Sequence, residues 1–437
     1  MTPTNRLKMI LHRIAFILFA SISTVLPANS ASAIEPANQV NDGIEVPASD
    51  WPWWRGPLRN GTASEDQSLP SEFSATQNVL WSTDVPGRGL SSPTVVGNRI
   101  FLTTANDDSG EQRVLCFDRA TGEVQWDEQI HASGGMQKNS KSTAASSSVS
   151  CDGKQIYVAF PNSGKLIATA LTVEGEQVWQ REVSDYVVHQ GYGASPVLYQ
   201  DLVIVAADNK GGGKLAAMNA QTGELVWSRE RPEKPNYPTP TLLNIADKDQ
   251  LVLVGCDLVV SYEPLTGKTN WSTEGATTEC VTSTLTDGNL IFTSGGYPKN
   301  HMSAIAADGS CEVVWKNASR LYVPSLVIRD GNLYGILDAG IATCWEAATG
   351  KVLWRQRLGG TFTSSPVLVG DTIYATNEAG EFFIYKASPE GYQQIAKNKL
   401  GEQVLTTPTI CGNRIYHRVA HLDKSGNRTE KLYCIGQ

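Results

Sequence analysis

The chain has 437 residues, 41% of them hydrophobic and 18% charged, a balance that excludes wholesale disorder and allows a large buried core. Its net charge of −8 is the wrong sign for a general nucleic-acid binder, which carries a basic stripe. Glycine at 39 positions and proline at 21 suit a chain with many tight turns.

The N-terminus reads as a secretory leader over 1–33. Arg6, Lys8 and Arg13 precede a mostly apolar run over 14–26, and Ala31-Ser32-Ala33 is a small-residue cleavage site. The apolar run is too short for a membrane span, and no Cys stands at the cleavage site to take a lipid anchor. Cleavage removes three basic residues and no acids, so the net charge moves from −8 to −11. The expectation is an exported monomer, periplasmic or extracellular, with no membrane span once the leader is cut.

Residues 34–74 read as a linker followed by a Trp-rich lead-in, Trp51-Pro52-Trp53-Trp54-Arg55-Gly56-Pro57. Three Trp so close together have two readings. They form an exposed platform for a sugar or aromatic ligand, or they pack over the domain and tie down the terminus. The second reading is preferred.

From residue 75 to 437 the chain repeats. Ala120-Thr121-Gly122-Glu123-Val124-Gln125-Trp126 recurs at Gln221–Trp227, Leu265–Trp271 and Ala347–Trp354, with weaker copies ending at Trp179 and Trp315. Each is a tight Thr-Gly turn followed by a strand that closes on Trp. With Trp81 there are seven such Trp, 39 to 53 residues apart, a period of propellers and similar arrays. An eighth, degenerate copy lies near Ile395. First-strand starts form an independent series: Ser92, Ser148, Ser195, Thr239, Ser283, Ser325, Ser365 and Thr407, most with a neighbouring Pro. The two series are out of phase at the ends, because the Trp81 strand stands alone and the last repeat lacks a fourth strand. The fold expected is therefore all-β, an eight-bladed propeller of four-stranded antiparallel blades, closed by pairing the strand near Trp81 with the C-terminal blade.

Cys116, Cys344 and Cys434 occupy one position in their repeats, where others carry Ala217 or Ser261, and read as buried core thiols. The eight Cys would meet an oxidising compartment, and Cys256 with Cys280, in loops of neighbouring repeats, is the first pair to test for a disulfide. The glycine-rich stretch over 210–214 lacks P-loop spacing and reads as a hairpin.

The Thr-Gly-x-x-x-Trp ending and the Ser-Pro-Val opening resemble the pyrroloquinoline-quinone (PQQ) type propeller repeat of quinoprotein alcohol dehydrogenases and BamB-like envelope proteins. The Trp-Pro-Trp-Trp-Arg-Gly-Pro lead-in resembles the opening of secreted members. The resemblance implies that Trp81, Trp126, Trp179, Trp227, Trp271, Trp315 and Trp354 dock between adjacent blades. The scaffold hosts both enzymes and binding proteins, so it does not fix function.

In a propeller the loops entering the first strands gather on one face around the central channel. They carry Arg88, Lys141, His189, Tyr192, Tyr237, Glu279, Arg320, Tyr322 and Phe362, a mixed cationic, aromatic and acidic ring suited to a polar ligand. Catalytic residues are not assigned. The family's enzymes hold PQQ against calcium and many carry an adjacent Cys pair; this chain has no Cys-Cys and no Cys-x-x-Cys-His haem site. Glu279 is the one acid offered as a calcium ligand. There is no Gly-x-Ser-x-Gly elbow and no His-Glu-x-x-His site. The preferred function is a non-catalytic binding or assembly module of the cell envelope, with a protein partner or a small polar ligand and no cofactor. The alternatives are a PQQ- and calcium-dependent alcohol dehydrogenase with an external electron acceptor, and a carbohydrate-binding propeller.

Overall fold

The computed structural model describes residues 40–437, so the expected leader and the start of the linker lie outside the described residues. Among these residues there is no helix; eight sheets lie in chain order as blades. Blades 1 to 7 span 94–131, 150–185, 197–231, 241–274, 285–317, 327–357 and 367–399. Blade 8 spans 409–435 and takes its fourth strand, Val79–Val85, from the other end of the chain. That strand pairs antiparallel with Arg428–Ile435, placing Trp81 opposite Cys434.

Blade 7 shows how sequence becomes strand. Gly370 and Gly380 take positive φ and reverse the chain between Val367–Val369, Thr372–Thr376 and Glu381–Lys386. The outer strand follows at Gln394–Lys399. Phe382 to Tyr385 are all buried, because a middle strand has a neighbouring blade on each face. The core accordingly lies between blades. Tyr334 and Ile336 of blade 6 share a cluster with Ile373 and Phe383 of blade 7. Phe382 of blade 7, Ile415 of blade 8 and Ile100 of blade 1 share another.

The Trp side chains occupy these seams. Trp81 donates its indole N–H to Arg119 O (3.1 Å), Trp126 to Val173 O (3.0 Å), Trp179 to Ala220 O (2.7 Å) and Trp227 to Pro264 O (3.0 Å), each in the following blade. Trp315 and Trp354 do the same to Ala347 O and Ser388 O, both at 2.8 Å. The rings lie against the turn glycine of that blade: a Cβ on Gly122 would come within 2.4 Å of Trp81, and one on Gly350 within 2.5 Å of Trp315. Trp271 departs from this pattern. It donates within its own blade, to Gln250 Oε1 at 3.0 Å, and the corresponding Gly309 has no atom within 4 Å of an added Cβ. Across the strand, Trp126, Trp354 and Trp81 face Cys116, Cys344 and Cys434, while Trp227, Trp271 and Trp315 face Ala217, Ser261 and Ala304. A small partner leaves room for the indole, and the three Cys are fully buried.

The bond considered for Cys256 and Cys280 is not formed; all eight Cys are free thiols. Cys256 Sγ lies 3.6 Å from Asp208 Oδ2, and Cys280 Sγ lies 3.4 Å from Thr277 Oγ1. Each has its own polar neighbour, and burial pushes both thiols above their ordinary range, Cys280 to about 11.

The Trp-rich lead-in spans the channel. Trp51 exchanges two backbone hydrogen bonds with Val95 of blade 1, and Cys151 N of blade 2 donates to Pro52 O. Arg59 donates to Leu198 O of blade 3 and stacks 4.0 Å over Trp53. Arg55, 2% exposed, donates to Leu326 O of blade 6 and Pro366 O of blade 7. The strand Thr62–Ala63 then adds to blade 7 in parallel with Val367–Val369, giving that sheet a fifth strand. Trp51 and Trp53 are buried at 3% and 4% exposure, so they cannot serve as an exposed sugar platform.

Candidate functional site

The site begins two residues before each first strand. Ser92 N donates to Ser148 Oγ, Ser148 N to Ser195 Oγ, and Ser195 N to Thr239 Oγ1. Ser283 N donates to Ser325 Oγ, Ser325 N to Ser365 Oγ, Ser365 N to Thr407 Oγ1, and Thr407 N to Ser92 Oγ. These bonds are 2.9 to 3.1 Å long and run around the axis from blade to blade. At the remaining junction, Ser283 Oγ accepts the Trp54 indole N–H at 2.9 Å.

Above this ring is a cavity of about 460 Å³, within the range of small-molecule sites. Trp54 lines it from the lead-in, together with ring residues Ser92, Ser148, Ser195, Thr239, Ser365 and Thr407. Of the nine expected site residues, Lys141, Tyr192, Tyr237, Arg320, Tyr322 and Phe362 line the cavity. Tyr192 donates to Ala206 O at 3.1 Å and stacks edge-on to Tyr186. Phe362 is 1% exposed and packs on Phe383, so it is as much core as site.

His189 and Glu279 do not line the cavity and meet behind Tyr322. His189 Nε2 lies 3.2 Å from Glu279 Oε1, and Tyr322 donates its O–H to Glu279 Oε2 at 3.2 Å. The Tyr322 backbone N–H reaches Asp338 Oδ2 at 2.9 Å. Burial raises the pKa of Asp338. Tyr237 presents a buried hydroxyl with no protein partner among the described residues, and burial beside Glu279 raises its pKa. Across the mouth, Lys141 Nζ pairs with Glu378 Oε1 at 2.7 Å, and Thr363 donates to the same oxygen at 2.6 Å. Arg320 is exposed at the rim, 5.8 Å over the Tyr322 ring.

Arg88 does not line the cavity. Its guanidinium turns to Asp107 at 3.0 Å and to Ser140 O. The reading of entering loops alone missed Trp54, the hydroxyl ring, Asn139, Gln190, Asp338 and Glu378. The hydroxyl ring had a signal in the recurring Ser/Thr at first-strand starts. Trp54 had none that distinguished it from Trp51 and Trp53.

The donor set does not fit calcium-bound PQQ. Glu279 has both carboxylate oxygens engaged, by His189 and Tyr322, and Glu378 is neutralised by Lys141. Among the described residues, no group of three His, Cys, Asp or Glu could hold a metal ion.

The family model described as outer membrane protein assembly factor BamB matches residues 72–188, 168–356, 312–388 and 346–429. The chain is 23% identical over 369 residues to the outer membrane protein assembly factor BamB of Bordetella pertussis, covering 79% of this chain and 86% of that one. Among solved structures, BamB from Moraxella catarrhalis aligns with a TM-score of 0.57 at 15% identity, over 81% of this chain and 99% of that chain. A europium-containing methanol dehydrogenase aligns with a TM-score of 0.66 at 11% identity, over 90% of this chain and 99% of that chain. At such identities the structural likeness shows the fold alone.

Proposed function

The chain belongs to the family of the outer membrane protein assembly factor BamB, and from that membership we propose that it is an exported, non-catalytic propeller that binds a protein partner of the cell envelope in outer-membrane assembly. One observation carries the non-catalytic part. Lys141 and Glu378 pair across the mouth, and Tyr322 of the lining is tied to the His189–Glu279 pair behind it, so these groups are held by one another rather than presented as an unengaged base or nucleophile. Similarity along most of the chain to an assembly factor supports the partner class. Among the described residues no helix is long and apolar enough to cross a membrane, which suits a protein working beside the membrane.

The test is depletion of the protein in its own cells, with folded outer-membrane barrel proteins measured by their heat-modifiable mobility. The expected result is a loss of folded barrels, restored by the wild-type gene. Unchanged barrel levels would overturn the assembly role. Full restoration by a variant lacking residues 1–33 would overturn export as a requirement.

A further inference from the structure

The central cavity carries a chemistry that partner binding on the propeller surface does not use. Three observations define it. First, Trp54 lines the cavity with its indole N–H fixed on Ser283 Oγ at 2.9 Å, and Tyr192, Tyr237 and Tyr322 stand in the walls. A fixed aromatic face with polar neighbours suits a ring that is apolar on one side and hydroxylated at its edge.

Second, the lining hydroxyls of Ser148, Ser195, Thr239, Ser365, Thr407 and Ser92 each accept a main-chain N–H from the preceding blade. None donates its own O–H to a protein acceptor among the described residues. Each therefore retains one hydrogen to donate and one lone pair, the complement of another hydroxyl. The partnerless Tyr237 hydroxyl adds a further donor.

Third, the charged groups lining the cavity are two cations, Lys141 and Arg320, and two carboxylates, Asp338 and Glu378. Lys141 and Glu378 neutralise each other. An anionic ligand would find no unpaired cation at depth, and burying its charge there would be costly.

We propose that this cavity is a binding site for a neutral saccharide of one or two pyranose units, stacked on Trp54 and hydrogen-bonded by the Ser/Thr ring. The site is independent of the protein partner proposed above, because the ligand lies on the channel axis and the isolated protein suffices for binding.

The experiment is calorimetric titration of the purified protein with maltose, cellobiose and N,N′-diacetylchitobiose, alongside a charged disaccharide containing a hexuronic acid. At least one neutral disaccharide is expected to bind saturably, and the charged one at least tenfold more weakly. Val281→Trp fills the cavity from a lining position whose side chain makes no hydrogen bond, and it is expected to weaken binding at least tenfold while the thermal transition stays in place. Trp54→Ala is expected to do the same, with some loss of stability because Trp54 also anchors the lead-in. If none of the neutral disaccharides binds, if Val281→Trp binds as wild type, or if the charged disaccharide binds as well as the neutral ones, the proposal is wrong.

Discussion

His417 shows how a single buried residue couples this fold to pH. Its ring is fully enclosed, lies edge-on to Phe382 at 5.8 Å and has Nε2 3.3 Å from Thr406 O. Burial lowers its pKa from 6.5 to about 4, so the folded protein keeps it neutral where the unfolded chain takes up a proton. Stability from this residue is complete above pH 6.5 and is lost as pH falls through 4, by about 3 kcal/mol in all. Urea unfolding at pH 7.5 and pH 4.5 checks this. His417→Leu is expected to shrink that difference, the remainder coming from other groups such as His131 and His301, whose pKa burial also lowers, and an equal acid loss in both proteins would contradict it. Residue-scale readings from sequence fared unevenly at the site. Six of nine entering-loop residues line the cavity, because position in the repeat fixes which loop a residue occupies. Side-chain direction is set by the nearest charged partner, which is why Arg88 turns out to Asp107 of its own blade while Glu378, in a loop between second and third strands, turns in to Lys141.

The Thr-Gly turn and its Trp form the unit of assembly between blades. Gly350 and Gly309 hold φ of +69° and +83°, so alanine at either incurs the left-handed backbone penalty. Only at Gly350 would the new Cβ also meet a Trp, 2.5 Å from the Trp315 ring. Gly350→Ala is expected to cost roughly 2–4 kcal/mol and Gly309→Ala about 1 kcal/mol, read from denaturant midpoints. Equal costs would show that the indole does not wedge the seam. The strands were legible because the turn glycines and the closing Trp bracket them, and Thr372–Thr376 and Glu381–Lys386 fall where the turns place them. The exception, Trp271, was not legible, since its motif is intact and only the neighbouring blade differs.

At the scale of the whole molecule, three devices join the two ends of the chain to the ring. The Val79–Val85 strand completes blade 8. Arg418 of blade 8, buried with Glu430 at 2.5 Å, donates to Thr103 O of blade 1 at 2.6 Å. The lead-in crosses the channel and brings Trp54 to the base of the cavity. The blade count was readable from the phase of two repeat series, whereas the lead-in's path depends on carbonyls of several blades and has no sequence period to reveal it. The resulting funnel has a floor fixed by the lead-in and a mouth crossed by the Lys141–Glu378 ion pair. The most direct test is to titrate the purified protein with PQQ and calcium and follow alcohol-dependent dye reduction. No saturable PQQ binding and no dye reduction above background are expected; saturable binding with alcohol-dependent turnover would contradict the account.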